Sequence, residues 1–168
     1  MNTHTNEALR HYVRKERLAG CVINVLLAIF FTYLIFFPVP VIPLWGKDGM
    51  AFDLVPTVFM LTLVGNLVVT LLARKRLGAG ELPIISEDVC GRMARRLPTN
   101  MFARLVVVAV VMTVMTVPLS VLLLTLAGID SLSYHQYLAF KAIYGPLIGA
   151  LPVAAVIEAT LRAEAQSA

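Results

Sequence analysis

Leu18–Phe37, Leu54–Ala73 and Leu105–Leu126 each run without a single charged side chain, and Tyr137–Leu161 carries only Lys141 and Glu158. A bilayer core about 30 Å thick needs roughly 20 apolar residues at about 1.5 Å each, and all four blocks reach that length. No soluble core would group its apolar residues this way, because helices and strands there alternate apolar and polar faces. The chain is 59% hydrophobic and 14% charged, against about 45–50% and about 25% in soluble domains, and most of its charge lies between the blocks. The expected fold is an all-α polytopic membrane protein. It is a four-transmembrane-helix bundle, one membrane domain over residues 1–168, with short outer loops and the cytoplasmic loop 74–104. The first block follows a basic leader but outruns the apolar core of a signal peptide. It leads into Phe-Pro-Val-Pro-Val-Ile-Pro instead of a small-residue cleavage site, so it reads as a retained helix.

Lys and Arg set the expected orientation. Arg10, Arg14, Lys15 and Arg17 precede the first block. Arg74, Lys75, Arg76, Arg92, Arg95, Arg96 and Arg104 lie between the second and third, and Arg162 follows the fourth. The opposite side has Lys47 alone. The positive-inside rule then puts both termini in the cytoplasm, as expected of a multi-pass protein of the cell inner membrane. A net charge of +4 does not point to nucleic acid, because the basic residues sit at the ends of apolar segments, where topology signals and anionic-lipid contacts belong. Cys21 and Cys90 fall on or near the reducing side, where a structural disulfide is not expected.

The loops carry local signals. Pro38, Pro40 and Pro43 end the first helix and favour an extended path, and Trp45, the only tryptophan, falls where an interfacial aromatic belt would lie. That connection reads as a stiff anchored turn, or as a rigid lip over an outward-facing pocket. The second outer connection, Ala127–Gln136, is short and polar. In the cytoplasmic loop, Ser86 looks like an N-cap with Glu87 and Asp88 in the first turn. Val89, Met93 and Leu97 recur at a spacing of four up to Pro98. This pattern predicts a short amphipathic helix lying on anionic headgroups of the inner leaflet, or offering a docking surface.

Polar residues inside the spans are costly in lipid and mark the places to look for function. Asn24, Ala28 and Thr32 share one face of the first helix, Thr62, Asn66 and Thr70 one face of the second, and Thr113, Thr116 and Ser120 one face of the third. These stripes predict interhelical hydrogen bonds and close packing, or the walls of a polar cavity. In the fourth block, Lys141, Gly145, Gly149 and Pro152 line up. Gly145, Gly149 and Pro152 form a candidate helix-packing face, the two glycines in the GxxxG spacing that admits a neighbour closely. Lys141 has three readings: its stem snorkels to the interface, it pairs with Asp53, or it faces an anionic substrate. Tyr144 and His135 complete the candidate polar site of Asp53, Lys141, Tyr144 and His135. Glu158 reads as an i,i+4 partner of Arg162.

No nucleophile elbow, P-loop or HExxH occurs, and no span holds a histidine that could ligate haem. No cofactor, metal or catalytic residue is therefore expected. Two functions lead, ahead of a membrane enzyme acting on a lipid headgroup, which would need a nucleophile or acid–base pair that these residues do not assemble. One is a non-enzymatic bundle component of a homo-oligomer, or an accessory subunit of a larger membrane complex. The other is a transporter or lipid-handling protein built around Asp53, Lys141 and Tyr144.

Overall fold

The computed structural model describes residues 3–82 and 91–166, and the side chains from residue 11 onward. Its elements run α1 (Thr3–Phe36), β1 (Val41–Pro43), α2 (Met50–Gly78), α3 (Arg92–Arg96), α4 (Met101–Leu126), β2 (Ser131–Ser133), α5 (Tyr134–Ala150) and α6 (Val153–Ala165). Four segments are long and apolar enough to cross a membrane: His11–Phe36, Met50–Gly78, Met101–Leu126 and Tyr134–Ala165. The chain is a multi-pass membrane protein built as a four-helix bundle. One end of the bundle carries the start of α1 and the end of α6 and the other carries the small sheet; we call them the terminal end and the sheet end.

The fourth block is not one helix. Pro152 is buried and separates α5 from α6. Proline lacks the N–H that would reach the carbonyl four residues earlier, and its ring crowds that carbonyl. Pro56 and Pro118 are accommodated inside α2 and α4. The second helix starts at Met50, a turn before the apolar block, which puts Asp53 in its first turn.

The two connections at the sheet end pair with each other. Val41, Ile42 and Pro43 lie antiparallel to Ser133, Leu132 and Ser131, and Leu44 N–H donates to Asp130 O at 2.7 Å. At the end of α4, Gly128 takes φ +68°. This lets the N–H groups of Gly128 and Ile129 return to the carbonyls of Thr125 and Leu124, the Schellman pattern that turns the chain sharply out of a helix. Ser133 and Gln136 then form a capping box that starts α5. Phe36, Ile42, Leu44, Met50, Leu124 and Tyr137 pack into an apolar cap beneath the sheet. Trp45 stays outside it, 64% exposed.

α1 is buried along one narrow stripe, with Tyr12, Glu16, Asn24, Ala28, Thr32 and Phe36 at multiples of four; the apolar remainder faces outward to lipid. Gly145 and Gly149 of α5 meet this stripe. A Cβ on Gly145 would lie 3.4–3.5 Å from Leu61 Cδ1, Ala28 Cβ and Asn24 O, and one on Gly149 would overlap Asn24 Nδ2. The glycine face is thus occupied by α1 of the same chain. Most of the hydroxyls in the spans behave differently from the sequence expectation. Thr32, Thr113, Thr116, Thr125 and Thr160 each donate to the carbonyl four residues earlier in their own helix, a satisfaction that needs no neighbour. Ser120 also reaches its own helix, at Thr116 O, and lies 3.0 Å from Tyr144 OH on α5.

At the terminal end α6 holds α3 from both sides. Gly91 N–H, at the start of α3, donates to Glu158 Oε2 at 2.9 Å. Arg162 donates through Nη1 to Arg95 O and through Nη2 to Leu97 O. Helix ends leave orphan donors and acceptors, so Glu158 and Arg162, expected to pair with each other, each serve an end of α3. Ala94 is the buried residue of α3, whereas Met93 is 77% exposed. Ser86, Glu87, Asp88 and Val89 of the expected amphipathic helix lie outside the described residues.

Close packing on Gly145 yields a contrast. Gly145→Leu is expected to lower stability by about 1–3 kcal/mol through overpacking. Gly20→Leu, whose added Cβ meets nothing within 4 Å, should change it by less than about 0.5 kcal/mol. Reversible unfolding in mixed micelles measures both.

Candidate functional site

Asp53 and Thr57 are four residues apart on α2, and Tyr137 and Lys141 are four apart on α5. Each pair therefore sits on one face of its helix, and the two faces meet beneath the apolar cap. Lys141 forms an ion pair with Asp53 Oδ2 and donates to Thr57 Oγ1 at 3.0 Å. Tyr137 OH donates to the same Asp53 Oδ2 at 2.5 Å. The rings of Tyr137 and Phe36 stand 5.2 and 5.9 Å from the ammonium, within the range of cation–π attraction. Lys141 is 1% exposed and Asp53 7%, so the lysine stem does not snorkel to the surface.

The energetics of such a pair are asymmetric. Charges removed from water are repaid by each other only when the geometry is close and the remaining donors find partners. The Lys141 ammonium has a carboxylate, a hydroxyl and two aromatic faces. Removing either charge would strand the other.

The cap closes the site on the sheet side, with Ile42, Leu44 and Met50 all 0% exposed. The opening is lateral. A groove of about 260 Å³ runs between α1 and α2, with Phe31 and Ile35 on one wall and Pro56 and Met60 on the other. Asp53 and Thr57 line its end, and its walls are otherwise apolar down to Val64. From Asp53 to Val64 is about 16 Å at about 1.5 Å per helical residue. A dry apolar cavity of about 150 Å³ already admits benzene, so this one has room for part of an alkyl chain.

Of the four candidate polar residues, the structure joins Asp53 and Lys141. Tyr144 is not with them: it sits beside Ser120 of α4 and stacks on Phe140, centroids 5.2 Å apart. His135 is exposed at the sheet end, next to Tyr134. Tyr137, Thr57 and Phe36 take the neighbouring places instead. The signal for the first two was in the sequence, since each lies at i±4 from a charged residue. Among the described residues no group of three or more His, Cys, Asp or Glu could hold a metal ion. No family model, no curated protein and no solved structure matches this chain.

Because both charges of the pair are buried, Lys141→Met alone should cost about 3–5 kcal/mol by leaving a buried carboxylate unpaired. Adding Asp53→Leu should recover most of that loss. A double-mutant cycle on unfolding in mixed micelles reads the coupling directly.

Proposed function

We propose that this chain is a non-enzymatic protein of the inner membrane that takes an amphiphile sideways from the bilayer. The tail lies between α1 and α2, and the polar group reaches the Asp53–Lys141 pair. The observation that carries this reading is a buried ion pair whose open side is an apolar groove facing lipid. Charged residues at this depth are costly enough that function is their default explanation. The capped sheet end favours entry from the membrane over entry from water.

The distribution of Lys and Arg supports an orientation with both termini in the cytoplasm. In that orientation Arg92, Arg95 and Arg96, all exposed on α3, would lie near anionic headgroups, each contributing about 1 kcal/mol. Membership of an oligomer or a larger complex is the other function compatible with the sequence. Its main sequence argument, the Gly145–Gly149 face, is weakened because α1 of the same chain covers that face.

Native mass spectrometry of the tagged protein, released gently from its own membrane, separates the two. The expected spectrum is one chain carrying one retained amphiphile, lost in the charge-balanced Asp53→Leu/Lys141→Met variant. A bare chain, or an adduct that survives in that variant, would overturn the proposal. A defined oligomer or a second polypeptide with no amphiphile would put the assembly reading in its place.

A further inference from the structure

The groove reaches the ion pair from the Asp53 side. Asp53 and Thr57 line it; Lys141 does not, being enclosed by Asp53, Thr57 and the rings of Phe36 and Tyr137. The shortest contacts of Lys141 and Tyr137 with the carboxylate are both to Oδ2. Thr57 Oγ1 accepts from the Lys141 ammonium. A carboxylate keeps lone pairs to spare, and a threonine hydroxyl that accepts one hydrogen bond can still donate another, so the polar residues at the end of the groove supply an acceptor and a donor with their charge already balanced by Lys141.

That set matches a hydroxyl group, which donates and accepts at once. We infer that the amphiphile is neutral and carries a hydroxyl at its polar end, donating to Asp53 Oδ1 and accepting from the Thr57 hydroxyl. This rests on the amphiphile-binding reading proposed above. An anionic headgroup would meet the Asp53 carboxylate first, with the Lys141 charge behind it and already committed. A quaternary ammonium has no N–H to donate, and it would meet a carboxylate whose charge Lys141 already balances. Either ionic head would add an uncompensated charge to a site shielded from water, where that is expensive.

The test uses the full chain in lipid nanodiscs and three isotope-labelled probes of one chain length: hexadecan-1-ol, hexadecanoate and hexadecyltrimethylammonium. Enrichment is measured against empty nanodiscs of the same lipid. The alcohol should be enriched about tenfold over either ionic probe. Thr57→Val should lower that enrichment by about three- to tenfold, the worth of one hydrogen bond, and Thr57→Ser should restore it. Lys141→Met, which exposes an unbalanced Asp53 to the groove, should turn the preference toward the ammonium. If an ionic probe is favoured by the wild-type chain, or all three are enriched alike, the headgroup assignment is wrong while lateral binding stands. If no probe is enriched in any variant, the amphiphile-binding reading fails as well.

Discussion

An ammonium and a carboxylate placed within a membrane-spanning bundle have to find each other, and much of this protein is arranged around that need. The Asp53–Lys141 contact fixes the rotation of α2 and α5 about their axes, because a turn of either helix would carry one charge away from the other. With those faces fixed, Tyr137 and Thr57 arrive at the same place through helical spacing alone, and Phe36 closes over the ammonium from the end of α1. A buried pair of this kind often does no better than well-packed apolar residues in net stability. Its contribution here is positional: it selects one register of α2 against α5 and penalises the alternatives.

The remaining contacts follow from how helices associate when lipid is as apolar as their side chains. With little hydrophobic drive, close approach and shape decide the packing. α1 leans on α5 through Ala28 and Asn24 against Gly145 and Gly149, where the absence of side chains lets the backbones come near. Its approach to α2 is interrupted by the groove between Phe31 and Met60. The small residues of α5 and the open seam beside α2 are thus two sides of one preference. Most of the membrane-embedded hydroxyls turn back to their own helix carbonyls, so few of them bind one helix to another.

Hydropathy alone made the four spans legible, because the bilayer imposes a length that no local propensity overrides. What lies at the ends of the spans was harder to read. β1 and β2 are three residues each, and their pairing joins segments far apart in the chain, which no local pattern encodes. The break at Pro152 and the tolerance of Pro118 involve the same residue type, and only tertiary context separates them. At the site, Asp53 and Lys141 stood out because charge in a span is costly. Tyr144 looked equally close along the chain, yet three residues turn it about 60° around α5 from Lys141, enough to carry it to Ser120. Tyr137, four residues away, stays within about 40°. The relevant signal was the spacing and not the nearness.

The pairing of Asp53 with Lys141 also bears on how the chain is made. Synthesis places α2 in the membrane well before α5, so Asp53 waits without its partner while the middle of the chain is translated. Lys141 then arrives on a segment whose insertion a lone lysine penalises by about 2.5–3.5 kcal/mol near a helix centre, and less toward its ends. A carboxylate already in place offsets that cost. The sheet that joins the tips of the two hairpins can close only once both have entered.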